Sequence, residues 1–336
     1  MTDLLKHLCL IDGTSGDEDS VREFVISQIK DYCEYKTDNL GNIICFKKGK
    51  KRPLKKVMVD AHLDEVGIII TSVTENGFLK FSVVGGIDTT ALMFRKVKIC
   101  DRVNGVISGK PYHLLSGESR KKAPQTDSLY IDIGAKSKSE ALELVNIGDR
   151  AVLTSDFEVL GDNIKSKALD DRIGCLVLIS LLKEDSEYDF YATFTVQEEV
   201  GLRGAKTATY AIEPDAAIAL EATTAADIPS SADDKKVCCV GKGVAVSFMD
   251  KATVYDKEYY KAAIGSGIPC QPKAAVAGGN NSGSIHLSGK GVRTIALSAP
   301  CRYIHTSSSI ASLTDIENML SLARYMLNGI AGGSIK

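Results

Sequence analysis

Four short runs of this 336-residue sequence are apolar at almost every position, and each leads into acidic or imidazole side chains. The runs are VMVDA from Val57, YATFTVQ from Tyr191, AAIALEA from Ala216 and TIALSAP from Thr294. Strands that are apolar on consecutive residues are typical of a mostly parallel sheet with helices on both faces. The sequence therefore predicts an α/β protein with a mixed, mostly parallel central sheet flanked by helices.

Three further segments have the periodicity of helices. SGDEDSVREFVISQIKDY carries acids in its first turn and a stripe of four apolar residues, Val21, Phe24, Val25 and Ile29. ALDDRIGCLVLISLLKE is apolar nearly all round, which predicts a buried helix. In TDIENMLSLARYMLNGI, Thr314 and Glu317 have the spacing of a capping box, so a helix is expected to start there.

The segment from about residue 67 to 160 has a different composition. Asn76-Gly77 stands between two β-rich runs, which is a strong hairpin signal, and further short strands follow between Gly, Asn and Pro residues. We expect residues 67–160 to form an inserted small β domain. Residues 1–66 and 161–336 would then form one larger domain.

The composition excludes several classes of function. With a formal net charge of −2, the chain has no overall field to attract nucleic acid, and the basic segment KKGKKRPLKK fits a solvated turn between strands. Its longest apolar segment, IGCLVLISLL, is too short to cross a bilayer. Nine cysteines without a CxxC pair favour reduced thiols. We expect a cytoplasmic protein that binds neither nucleic acid nor membrane.

Polar side chains that end apolar strands are the first candidates for chemistry, since ligands of open α/β sheets bind at the carboxyl ends of strands. Each candidate alone has an ordinary explanation, such as a helix cap for Asp170 or a hydrogen-bonded core histidine for His62. The candidates are His62, Asp64, Asp170, Glu198, Glu199, Glu221 and His305.

Together, these residues are difficult to explain without cations. Several carboxylates in one cleft would repel each other and destabilise the fold, whereas two divalent metal ions would neutralise them. His62 and Asp64 are two residues apart, so an extended backbone would let the carboxylate orient the imidazole. If Glu198 and Glu199 face opposite sides at a strand end, one can bind metal while the other transfers a proton.

The sequence resembles the tetrahedral (TET) aminopeptidases, a family of cytosolic dinuclear metallopeptidases some of which carry an endoglucanase label. The resemblance spans almost the whole chain and includes the motifs GTSGDED, DNLGNII, DAHLDEVG, KPYHLLS, LYIDIGA, KALDDRIG, QEEVGLRGA and CRYIH, in the family's order. It implies a zinc-peptidase-like fold and two metal ions, with Asp170 as the bridging ligand and Glu198 as the general base. The metal ligands that it implies are His62, Asp170, Glu199, Glu221 and His305, with Asp64 as the orienting partner of His62.

The resemblance also leaves three histidines, His7, His113 and His286, outside the ligand set. Two positions depart from the family pattern: Glu221 stands where many members have Asp, and Asn281 where Asp is more frequent. We expect these departures to affect the metal pocket and the hold on the substrate's amino end. Zinc is the expected metal, and cobalt or manganese would also suit this ligand set.

The function implied is hydrolysis of the first peptide bond of short peptides with a free amino terminus. A water bridging the metals would lose its proton to Glu198 and attack the carbonyl. The resemblance also implies self-association into a hollow tetrahedral homododecamer. Residues 1–66 and 161–336 would then form the catalytic domain, and residues 67–160 would serve oligomerisation or access. The alternatives are a metal-dependent deacylase of N-acyl amino acids and a catalytically silent scaffold. A glycosidase is less plausible because that chemistry needs two carboxylates but no histidine ligands.

Overall fold

A computed structural model describes residues 1–336, and the side chains of Tyr112, Ser119 and Asp234 lie outside this description. The helices are α1 (Thr2–Leu10), α2 (Asp19–Ile29), α3 (Lys138–Leu144), α4 (Leu169–Lys183), α5 (Arg203–Ile212), α6 (Lys257–Ile264), α7 (Ser282–Ile285) and α8 (Leu313–Ala331). The first nine strands are β1 (Glu34–Thr37), β2 (Ile43–Lys47), β3 (Val57–His62), β4 (Gly67–Val73), β5 (Leu79–Val84), β6 (Lys96–Ile99), β7 (Val103–Ser108), β8 (Tyr130–Asp132) and β9 (Arg150–Leu153). The remaining strands are β10 (Glu158–Leu160), β11 (Asn163–Ser166), β12 (Phe190–Thr195), β13 (Ala216–Thr224), β14 (Val244–Val246), β15 (Cys270–Pro272), β16 (Arg293–Arg302) and β17 (Ser309–Ser312).

The large sheet has 11 strands, and its main path runs β1-β2-β12-β3-β13-β16-β17-β11-β10. Its centre is parallel, because β12, β3, β13 and β16 pair in the same direction. The flanking pairs are antiparallel. The four apolar runs of the sequence form these four central strands. All of their carboxyl ends therefore point to the same edge of the sheet.

Helices cover both faces of the sheet, which explains why the central strands are apolar without alternation. Val57 and Val59 of β3 join the main core, to which α4 and α8 also contribute. Met58, between them, packs on the other face with Ala205 and Ile285 of α5 and α7. The predicted buried helix is α4, in which nearly every residue is inaccessible.

Six strands, β4-β5-β8-β7-β6-β9, close into a small barrel with its own apolar core. The hairpin between β4 and β5 turns at Asn76-Gly77, where Gly77 has φ +83°. The α/β fold with a small β domain is thus confirmed. The limits 67–160 stay a prediction for this domain, and β10 already pairs with β11 in the large sheet.

Two helix starts differ from the sequence-based expectation. Helix α1 precedes the predicted first helix, α2. Helix α8 begins after Ser312, so Thr314 lies inside the helix instead of capping it. The apolar stripe of α8 is buried as predicted, since packing against the sheet decides its orientation.

Two chemical properties concern the whole described chain. The nine cysteines are all free thiols, and five of them are buried. Among the residues that the structure describes, no helix combines the length and the apolar character needed to span a bilayer.

Candidate active site

The carboxyl ends of the four parallel strands bring the predicted site residues together. His62 is the last residue of β3, and Glu221 lies in the second half of β13. Glu198 and Glu199 follow β12, whereas His305 follows β16. Because these strands are neighbours, residues up to 243 positions apart in the chain meet at one edge of the sheet.

His62 is buried and uses its two ring nitrogens differently. Nδ1 lies 3.0 Å from the backbone oxygen of Asp64 and 3.4 Å from the Asp64 carboxylate. Nε2 faces the cleft, 3.4 Å from Asp170 Oδ1 and 3.7 Å from Glu221 Oε2. A proton on Nδ1 donated to the Asp64 oxygens leaves the Nε2 lone pair available to a metal.

His305 shows the same division at the other side of the cleft. Its Nδ1 lies 2.7 Å from the backbone oxygen of Gly86, in the barrel. Its Nε2 lies 3.3 Å from Asp170 Oδ2 and 3.2 Å from Glu199 Oε1. The residue has φ +62°, a conformation that directs the ring back from the loop.

Asp170 lies between the two histidines at the start of α4. Its backbone is not helical, with φ −87° and ψ 109°, so it does not act as the regular cap of this helix. One carboxylate oxygen faces His62 and the other faces His305. This is the position that a ligand shared by two metal ions needs.

Glu198 and Glu199 lie in a loop, because β12 ends at Thr195. The prediction that they alternate across a strand end is therefore wrong. Gln197 has φ +57°, which turns the chain, and buried carboxylates then hold successive backbone amides. The N–H groups of Glu198 and Glu199 donate to the Asp64 carboxylate, at 2.9 and 3.1 Å. Asp64 thus contacts His62 and also fixes this loop.

Burial raises the pKa of Glu198 to about 8, with His62 opposing the shift and neighbouring carboxylates adding to it. Burial likewise raises the pKa values of Glu199 and Glu221. For His305, burial lowers the pKa, but Asp170 and Glu199 outweigh it and bring the value to about 11. The clustered glutamates are thus electrostatically strained without a cation, whereas the neighbouring carboxylates favour the protonated form of the imidazole.

The donor set fits divalent metal ions. Within the described part of the chain, five buried carboxylate oxygens have no hydrogen-bond partner, and three of them lie in this site: Asp170 Oδ1, Glu199 Oε1 and Glu221 Oε1. Ligand atoms of His62, Asp170 and Glu199 lie within 4.8 Å of one another. A cleft lined by Asp170, Glu199 and His305, among others, opens beside these atoms. Mixed imidazole and carboxylate donors are characteristic of catalytic zinc sites.

Sequence reasoning missed Asp171, whose oxygens accept bonds from the backbone N–H groups of His62 and Gly174, at 3.2 and 2.9 Å. These bonds tie the end of β3 to α4. Asp171 also forms a possible ligand group with His62 and Glu221. An acid next to Asp170 in an otherwise apolar helix was the available signal.

Asn281 is held by neighbouring polar groups of the sheet. Its side chain is buried, and its amide donates to Asp60 Oδ2 at 2.7 Å and to Thr195 Oγ1 at 2.8 Å. It therefore links α7 to β3 and β12, and its effect on the substrate's amino end stays a prediction. His7 and His286 bond to backbone oxygens of their own helices, away from the cleft.

Comparison with known sequences supports a peptidase. A sequence profile described as M42 glutamyl aminopeptidase matches residues 41–322. A protein of Acetivibrio thermocellus, provisionally named an aminopeptidase, is 43% identical over 329 residues, which cover 96% of this chain and 97% of that protein.

Solved structures agree over the whole fold. An aminopeptidase of the archaeon Desulfurococcus kamchatkensis has a TM-score of 0.94 at 33% identity, covering 100% of this chain and 97% of the other. The TET1 peptidase of Pyrococcus horikoshii, described as assembling into a tetrahedron or a large octahedral shell, has a TM-score of 0.85 at 34% identity and covers 96% and 98%. The chain therefore belongs to the M42 glutamyl aminopeptidase family, a metal-dependent family of peptidases.

Proposed function

We propose that the protein removes the amino-terminal residue from short peptides, using two divalent metal ions. The observation that carries this proposal is the placement of Asp170 between two histidines whose Nε2 atoms face it at 3.4 and 3.3 Å. His62, Asp170 and Glu221 would hold one ion, and Asp170, Glu199 and His305 the other. Bound there, the ions would polarise the scissile carbonyl and acidify water.

Glu198 is the general base in this proposal. Its carboxyl group is not one of the proposed metal ligands. The bond that its backbone N–H donates to Asp64 fixes its position beside the cleft. Burial raises the pKa of Glu198, whereas bound metal ions would favour its charged form, so the carboxylate can accept a proton and return it. Glu198 would take the proton of the attacking water and deliver it to the leaving amine. Asp64 would orient both His62 and this loop.

The wider assembly follows from the relatives. Since the Pyrococcus horikoshii peptidase is described as forming a tetrahedron, we propose that this chain also self-associates into a homododecamer. Residues 67–160 would form the inserted domain, contributing contacts and passages. The cytoplasmic location stays a prediction.

Replacing Glu198 by Gln tests the mechanism, because Gln keeps the size of the side chain but cannot accept the proton. We expect turnover of amino-acid anilides to fall by about 10²- to 10⁴-fold while metal content and assembly stay as in the wild type. Glu213→Gln on the surface is a matched control that should retain activity. Unchanged turnover in Glu198→Gln would exclude this residue as the base.

A second comparison tests the substrate class. Anilides with a free α-amine should be hydrolysed in preference to the same compounds carrying an N-acyl group. The reverse preference would favour the deacylase. Glucans serve as a further control substrate. Hydrolysis of glucans that survives removal of the metal would support the endoglucanase label.

A further inference from the structure

The barrel reaches one half of the candidate metal centre directly. After β5, the chain passes through Gly85 and Gly86 against the cleft. The backbone oxygen of Gly86 accepts the Nδ1 proton of His305 at 2.7 Å. A Cβ atom at Gly85 would lie 3.2 Å from the Cβ of Glu199 and 2.8 Å from Val66 Cγ1. The glycine therefore allows a close approach of the barrel to two proposed ligands.

The loop that carries His305 has a second contact with the connection that leaves the barrel. Ser155, two residues after β9, donates its hydroxyl proton to the backbone oxygen of Ser307 at 2.7 Å. The same hydroxyl accepts a bond from the backbone N–H of Lys167, close to Asp170. Thus the position of the His305 loop depends on how the barrel lies against the large sheet.

The two ligands that belong to the other half alone, His62 and Glu221, have no bond to the barrel among the contacts of the described residues. His62 is oriented by Asp64 and faces Asp170 and Glu221. We name His62, Asp170 and Glu221 the sheet site, and Asp170, Glu199 and His305 the interface site. Asp170 is common to both sites, whereas only the interface site contains an imidazole held by a backbone oxygen of the segment that follows β5.

We propose that metal binding at the interface site is coupled to docking of the barrel, through the Gly85-Gly86 segment, and that metal binding at the sheet site is not. This inference rests on the proposed two-metal function. The partner that a ligating imidazole uses for its other nitrogen typically changes metal affinity by about 10- to 100-fold. Linkage is reciprocal, so filling the interface site stabilises the docked barrel to the same extent.

The experiment compares two glycines of the inserted domain that both have a positive φ. Gly85→Ala is strained, because Gly85 has φ +83° and the new methyl group would press on Val66 and Glu199. Gly134→Ala is the matched control: Gly134 follows β8 and has φ +80°, so the backbone strain is similar, but among the described residues nothing lies within 4 Å of its Cβ position. Both variants keep Gly86 and its carbonyl.

Zinc binding to metal-free protein is measured by competition with a chromophoric chelator. Glu199→Gln identifies the binding step that belongs to the interface site. We expect Gly85→Ala to weaken that step by about tenfold or more and to leave the sheet-site step within about threefold. In Gly134→Ala both steps should stay within about threefold of the wild type.

Hydrogen exchange supplies a readout in the wild type that does not depend on either glycine variant folding. Saturating zinc should protect the peptide that covers residues 80–90, and this protection should be missing in Glu199→Gln. Equal zinc affinities in Gly85→Ala and wild type, or equal exchange of this peptide with and without zinc, would overturn the coupling. A wild type that binds no zinc, or that stays active after chelation, would instead refute the proposed function.

Discussion

Removing the buried Asp64 carboxylate should lower the free energy of unfolding of the protein. Asp64 is fully buried and accepts three bonds, from Ser15 Oγ at 2.6 Å and from the backbone N–H groups of Glu198 and Glu199 at 2.9 and 3.1 Å. In Asp64→Ala both backbone donors lose their partner. We therefore expect a less stable protein and a displaced catalytic loop.

The size of the effect follows from these contacts. Each buried donor left without a partner costs about 1–3 kcal/mol, so two of them cost about 2–6 kcal/mol. The unfolding entropy of a chain of this length is about 0.7 kcal/mol/K, which converts the loss into a Tm decrease of roughly 3–9 °C. Asp64→Asn should lose about half as much, because its single carbonyl oxygen can still accept one N–H bond.

Calorimetric unfolding of the chelated variants measures the effect without a contribution from metal. Ser15→Ala is the control, since it removes a hydroxyl donor and leaves both backbone bonds to Asp64 in place. Anilide turnover by the zinc-loaded Asp64→Ala protein should be lower than that of the wild type, because the catalytic loop is displaced. A Tm within about 1 °C of the wild type in Asp64→Ala would refute the reasoning.

Three other perturbations have directions set by the structure. Burial raises the pKa of Glu18 from 4.5 to about 7, so the folded protein binds this proton more tightly than the unfolded chain does. The free energy of unfolding should therefore fall as the pH rises from about 4.5 to 7. Glu18→Gln lacks this titration, so its stability relative to the wild type should increase by up to about 3 kcal/mol over this range. The Tm difference between the two proteins should grow with pH. Gly174→Ala should lower the Tm by several degrees, since its Cβ would overlap the Asp171 carboxylate, an overpacking that costs about 1–3 kcal/mol. Chelation should lower the Tm reversibly, because each site saturated at 1,000 times its Kd contributes about 4 kcal/mol.

Each of these has a control or a contrary outcome. A Tm difference between Glu18→Gln and wild type that does not change with pH would contradict the raised pKa. Gly117→Ala is the control for Gly174→Ala, because among the described residues nothing lies within 4 Å of its Cβ position. A chelated protein as stable as the zinc-loaded one would contradict the electrostatic strain of the site.

The sequence was sufficient for the central strands, since both-face burial leaves a local pattern that needs no knowledge of the partner strands. It also pointed to polar residues at the ends of those strands, whose chemistry is a property of each side chain. It did not predict that Glu198 and Glu199 lie in a loop. The backbone of Gln197 has a φ in the left-handed region, which ends the extended strand before these two residues. It could not show that the Asn281 side chain bonds to Asp60, because Asp60 lies 221 positions away in the chain.

The residue types of the chain, and their periodicity over a few positions, determined the α/β class, the barrel hairpin and the available metal donors. Only the tertiary structure decided that Asp170 stands between His62 and His305, that Asp64 holds the loop of Glu198, and that the barrel touches His305. The physical reason is that strand order and domain docking bring together groups that are distant in the chain. Distances between such groups set the electrostatics of the site, and no local pattern encodes them.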